Sequence, residues 1–200
     1  MARGRFTRAE LEAHHGAIVD DLLPPLLRLL VVGINPGLWT AAANAHFARP
    51  GNRFWPALHR AGITRSQLDV SGGMSADDAA DLAALGIGIT NLVPQATARA
   101  DEVPAAQLAG ARERLAALVR TARPDVVAVL GKVAYARAFG IRDLDVGRQP
   151  ERFEGAELWV LPNPSGLNAH ETVDSLAVAY RAAAVAAGLL MHPVGSDHRS

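Results

Sequence analysis

The residues of this 200-residue chain best equipped for chemistry fall in two stretches far apart in sequence, Gly33-Ile34-Asn35-Pro36-Gly37-Leu38 and Leu161-Pro162-Asn163-Pro164-Ser165-Gly166-Leu167. Proline biases the residue before it toward extended geometry, so Asn35 is held in a defined orientation, and Gly37 permits a tight turn behind it. A carboxamide fixed in this way can aim a water molecule through its oxygen or bind a ligand through its nitrogen. Taken alone, the tripeptide reads first as a turn whose side chain caps backbone. His46-Phe47-Ala48-Arg49-Pro50-Gly51-Asn52-Arg53-Phe54-Trp55 then adds rings and cations. Phe47 could stack on a planar base, and Arg49, Arg53 or His46 could reach phosphates. Phe54 and Trp55, at the start of an amphipathic helix, read as core anchors.

Both stretches are exits from apolar runs. Residues 26–34 (LLRLLVVGI), 86–92 (GIGITNL), 125–130 (DVVAVL) and 157–161 (ELWVL) read as buried strands. Helical spacing is predicted over 52–61, from Ser75 onward, and over 104–122, 132–139 and 172–187. A further helix over 7–23, stopped by Pro24-Pro25, makes residues 1–25 an N-terminal helical extension, and 189–200 read as a mobile tail. Strands alternating with helices predict an α/β chain, a three-layer α/β/α sandwich with a central, mainly parallel four-stranded sheet, as one domain over 1–200. Ligands of such sheets bind beyond the carboxyl ends of the strands, so the two stretches should flank one crevice.

Composition narrows the chemistry. The chain has no cysteine, which excludes a disulfide framework, a thiolate zinc site, an iron–sulfur cluster and a cysteine nucleophile. Its seven histidines form no His-Glu-x-x-His motif, Ser165 is not in a Gly-x-Ser-x-Gly elbow, and no Gly-x-Gly-x-x-Gly turn follows the first strand. No cofactor and no metal are therefore expected. Lys132, in Leu-Gly-Lys, is the only lysine among 20 basic residues and is read as a phosphate contact or structural group, so Schiff-base chemistry is disfavoured. The formal net charge is zero, yet residues 22–68 contain no acid while holding five arginines and two histidines. This local positive field predicts modest, salt-sensitive affinity for a polyanion. Neither a signal peptide nor a membrane span is read, and a cytoplasmic location is expected.

Together, Gly33 to Leu38, His46 to Pro50, Asn52-Arg53-Phe54-Trp55, Leu130-Gly131-Lys132 and Leu161 to Leu167 resemble the mismatch-specific uracil/thymine DNA glycosylase family, a branch of the uracil-DNA glycosylase superfamily, over about residues 28–185. The resemblance implies a monofunctional hydrolase that flips a base out of double-stranded DNA containing uracil or a mismatch and acts as a monomer. It implies that Asn35 positions the attacking water, that Ile34, Gly37, Thr40, Phe47 and Asn91 bind the base, and that Leu167 is the wedge filling the vacated space. Asn163, Ser165, Gly166, Asn168 and His170 would complete the inserted loop, with Gly166 and Asn168 facing the opposite guanine through backbone groups. Arg49, Arg53 and Lys132 are its candidate phosphate contacts.

Three positions depart from the family pattern. Trp39 stands where relatives carry a small residue, which predicts a reshaped pocket mouth. Asn168-Ala169-His170 replaces a Ser-Arg sequence, leaving His170 to substitute for the arginine contact or the preference for guanine relaxed. Asn91 stands where the bacterial mismatch enzyme has lysine. One asparagine amide matches both the N3–H donor and the O4 acceptor of uracil, while cytosine presents the reverse pattern. The rival reading is a lesion sensor of the same fold that binds without cutting; Asn35, Phe47 and Leu167 together argue against it.

Overall fold

The protein is described by a computed structural model over residues 6–141 and 144–191. Three strands, β1 (Leu29–Gly33), β2 (Ile87–Asn91) and β3 (Val126–Leu130), are buried along their whole length, as mainly apolar strands covered on both faces are; β2 alone ends in two buried polar residues, Thr90 and Asn91. Their side chains alternate between two cores. Leu29, Val31, Ile87, Ile89, Val126 and Ala128 meet α3 (Phe54–Arg60), α4 (Ala76–Leu85) and α7 (Val173–Ala186) on one face. Leu30, Val32, Val127 and Val129 meet α5 (Ala105–Ala122) and α6 (Lys132–Phe139) on the other. The three-layer α/β/α arrangement is thus present.

The sheet has five strands in the order β2-β1-β3-β5-β4, where β4 is Gly147–Phe153 and β5 is Ala156–Leu161. The expected four are parallel, with Gly33 opposite Asn91 and Leu130 opposite Leu161, so all four open at one edge. The fifth, β4, runs antiparallel to β5. It escaped the sequence reading because GRQPERF is mostly solvent-facing and holds Pro150, which an edge strand tolerates.

The N-terminal helix is also corrected. Only α1 (Arg8–Glu12) forms, closed by a capping box between Thr7 and Glu10. Gly16 takes a positive φ of 78°, and the chain then runs extended beside β2, with Leu22 and Ile89 exchanging two backbone hydrogen bonds of 2.9 and 2.8 Å. The open edge of β2 supplies backbone partners that outweigh the local helical spacing. A short helix, α2 (Leu38–Ala43), follows Gly37 where a loop was expected. Residues 192–200, most of the expected mobile tail, lie outside the described residues. Among the described residues no helix is long and apolar enough to cross a membrane.

Candidate active site

At the shared strand edge lies a cleft of about 580 Å³, within the roughly 300–1,000 Å³ typical of ligand pockets. Asn35 and Leu167, from the two separate motifs, both line it. So do Ile34, Gly37, Thr40, Phe47, Arg49, Asn91, Asn163 and Ser165.

Asn35 follows β1 directly, and its amide nitrogen donates to Thr97 Oγ1 at 2.7 Å, to the Pro36 carbonyl at 3.0 Å and, more weakly, to the Gln95 carbonyl at 3.4 Å. Carbonyls only accept, so the NH₂ end must face them. The side-chain oxygen Oδ1 is left with no protein partner among the described residues, at the cleft. The Thr97 hydroxyl gives its own proton to the Arg99 carbonyl at 2.7 Å, which leaves a lone pair for Asn35. Thr97 is buried, and sequence reasoning missed it: nothing in the aperiodic run after β2 marks it. Arg99 and Asp101 beyond it, joined at 2.7 Å, form a further wall that was not foreseen.

Asn91 ends β2 and is buried. Its side chain crosses the end of β1 over Gly33, where an added Cβ would stand 2.5 Å from Asn91 Oδ1, so only glycine fits there. His46 supports it from behind. The His46 Nε2 lies 3.0 Å from the Asp20 carbonyl and must carry the proton, which leaves Nδ1 as an acceptor for the Asn91 NH₂ at 3.5 Å. Burial pushes the His46 imidazole below its usual pKa of 6.5, against the opposing pull of the Asp20 carbonyl and the Asp21 carboxylate. His46 is thus a neutral support for Asn91 and not the phosphate contact read from sequence. From below, Arg114 donates to the Asn91 carbonyl and, at 3.3 Å, to Thr90 Oγ1, whose hydroxyl is held by Asp21 at 2.5 Å.

Phe47 has φ 56°, a left-handed conformation that costs a bulky side chain about 1–3 kcal/mol and persists only where surroundings enforce it. One ring face stacks on Phe54 with centroids 4.1 Å apart. Phe54 and Trp55 are core anchors, as expected, and the Trp55 indole donates to the His46 carbonyl at 3.0 Å, fixing the loop from inside.

Leu167, which also lines the cleft, is 76% exposed. The loop under it is internally tied: Asn163 Oδ1 accepts from the Ser165 N–H at 3.0 Å, the Leu167 N–H reaches Ser165 Oγ at 3.3 Å, and the Asn168 amide donates to the Asn163 carbonyl at 3.2 Å. Two expectations change here. The Asn168 backbone is engaged within the protein, its N–H by Ser165 and its carbonyl by Arg53, so of the two backbones expected to face a guanine only that of Gly166 is unengaged among the described residues. The Arg53 guanidinium is committed to carbonyls of this loop and not left for a phosphate. Arg49 is exposed at the cleft with no ion pair among the described residues, Lys132 is exposed at the first turn of α6 just past the cleft-lining Leu130, and His170 is exposed with its N–H on Asn168 Oδ1. Trp39 does not line the cleft: its indole donates to the Ser71 carbonyl at 2.9 Å and its ring packs edge-on against Phe6. Trp39 is thus not itself part of the cleft wall.

A fixed carboxamide, a second carboxamide on the adjacent strand end, a ring and an exposed leucine around one hollow define a site for a planar, hydrogen-bonding ligand. The sequence profile of the uracil DNA glycosylase superfamily matches residues 21–185, and the chain belongs to that superfamily. This membership carries hydrolysis of N-glycosidic bonds in DNA as its activity class. The solution NMR structure of a Methanosarcina acetivorans protein, named as a candidate uracil DNA glycosylase, superposes with a TM-score of 0.51 at 16% identity, covering 88% of this chain and 98% of that one. At that identity the likeness supports the fold.

Proposed function

We propose that the protein is a monofunctional, mismatch-type uracil-DNA glycosylase that acts as a single-domain monomer, turns uracil out of double-stranded DNA and hydrolyses its bond to deoxyribose. The observation that carries this reading is the Asn35 side-chain oxygen, free of protein partners among the described residues, in a cleft that the exposed Leu167 also lines. In this reading Asn35 Oδ1 accepts a hydrogen bond from a water molecule and aims its oxygen at the sugar C1′. The C1′–N1 bond electrons leave with the base, the water oxygen bonds C1′, and the released proton neutralises the uracil anion. An amide is a weak base, so most of the acceleration comes from orientation and from oriented donors facing the departing anion. Phe47 stacks on the extruded base, Arg49 and Lys132 meet phosphates, and Leu167 offsets part of the few kcal/mol of unstacking.

Asn91 reads the base. With its NH₂ turned toward His46, its Oδ1 is available to the uracil N3–H and the second amide hydrogen to a carbonyl. Uracil release is then robust and less dependent on the opposite base than in the relative that carries lysine at this position. Incubating the protein with labelled U·G, U·A and single-stranded uracil oligonucleotides, followed by alkali, reveals abasic sites and separates an enzyme from a non-cutting lesion sensor. Asn91→Ala is expected to slow all three by about tenfold or more, the worth of one well-placed polar contact. Unchanged rates would remove Asn91 from base reading, and a borohydride-trapped covalent adduct would contradict the monofunctional assignment.

A further inference from the structure

We propose that Arg53 is a positioning residue for base extrusion, locking the Leu167 turn onto the loop that carries the base pocket so that wedge and pocket move as one body. The inference rests on the reading above, in which Leu167 enters the duplex. Arg53 reaches the late loop four times. Its backbone N–H donates to the Pro164 carbonyl at 3.0 Å, one guanidinium nitrogen donates to the Ser165 and Asn168 carbonyls at 2.7 Å each, and the other donates to the Glu171 carbonyl. These acceptors bracket Leu167 on both sides. Beside them the two loops touch backbone to backbone: a Cβ on Gly166 would stand 2.7 Å from the Gly51 carbonyl oxygen.

The other end of the connection is equally firm. Arg53 caps α3, whose first residue, Phe54, stacks on Phe47 in the base pocket. The start of the late loop is pinned as well, by the Tyr180 hydroxyl donating to the Pro162 carbonyl at 3.1 Å; burial raises that phenol well above its usual pKa and keeps the proton in place. A planar guanidinium can span three carbonyls set in different directions, whereas an ammonium presents one point of charge. Lysine at position 53 therefore keeps the attraction for DNA and loses the lock, which separates positioning from phosphate binding.

The test compares wild type, Arg53→Lys, Gly166→Ala, Leu167→Ala and the Arg53→Lys/Leu167→Ala double variant in single-turnover uracil release from duplex and single-stranded oligonucleotides. A 2-aminopurine beside the uracil reports extrusion, and hydrogen exchange reports the backbone of residues 163–171. For Arg53→Lys the ratio of duplex to single-strand rate is expected to fall about tenfold, with a smaller 2-aminopurine rise and faster exchange across the loop. Gly166→Ala, which displaces the loop without altering charge, is expected to lower the same ratio, and the double variant should be no worse than Leu167→Ala alone, because both changes disable one device. A wild-type ratio for Arg53→Lys, equal losses on both substrates, or unaltered exchange overturns the proposal. Absence of uracil release by the wild type on either substrate instead overturns the underlying reading, and the exchange measurement still reports whether Arg53 locks the loop.

Discussion

Asn35 and Leu167 line the same cleft, yet the carboxamide is held by three acceptors from its own side of the molecule while the leucine stands 76% exposed on a loop tied down by an arginine more than a hundred residues earlier. Near the ends of β1 and β2 the polar groups lining the cleft are themselves fixed by further hydrogen bonds: Thr97 by the Arg99 carbonyl, Asn91 by His46, and His46 by the Asp20 carbonyl. Around Leu167 the polar ties serve backbone alone. The contrast separates two physical tasks. Groups that orient a reaction gain by being fixed before the ligand arrives, whereas an apolar side chain in water gains by finding a surface to enter.

Breaking the fixed side should have the largest effect. Asn35→Ala is expected to lower single-turnover uracil release by roughly 10²–10⁴-fold while affinity for the uracil duplex, read by fluorescence anisotropy, changes little. Parallel loss of rate and affinity would show that Asn35 only builds the pocket. Breaking the exposed side costs less: Leu167→Ala should slow release from duplex by about ten- to a hundredfold, in keeping with a few kcal/mol of unstacking, and should slow single-stranded release far less. Equal slowing of both substrates would rule out the wedge.

Thr97→Val sharpens the comparison by removing one support of Asn35 while keeping the shape. A loss of about tenfold in single-turnover rate is expected, from one hydrogen bond in a buried chain, with an unaltered pH profile. A wild-type rate would mean the two carbonyls alone hold the amide. The smallest effect concerns His46. Its pKa is lowered in the folded protein, so below about pH 6.5 the unfolded chain takes up more protons; this contribution to stability is full at higher pH and is lost as pH falls through that range. Thermal melting across mildly acidic buffers should therefore drop more steeply for wild type than for His46→Gln, and parallel curves would refute burial as the cause.

Much of this frame was legible in the sequence because the buried strands are mainly apolar runs and the two motifs stand at strand exits, where topology alone brings them together. What stayed hidden has a common cause. The edge strand β4 carries no apolar alternation, the segment beside β2 is extended because of a partner remote in sequence, and Thr97 looks like any hydroxyl in a loop. Arg53 and His46 were legible as residues and misread as roles: a cation near a proposed DNA surface suggests phosphate, and only three-dimensional neighbours reveal that its hydrogens, or its ring, are already engaged.

One practical result comes from Lys132, the solitary lysine, exposed at the start of α6 close to the cleft. An amine-directed fluorophore has a single side chain to modify, so labelling with such a dye, with the α-amino group blocked, would yield a uniform optical probe near the mouth of the cleft without engineering a cysteine.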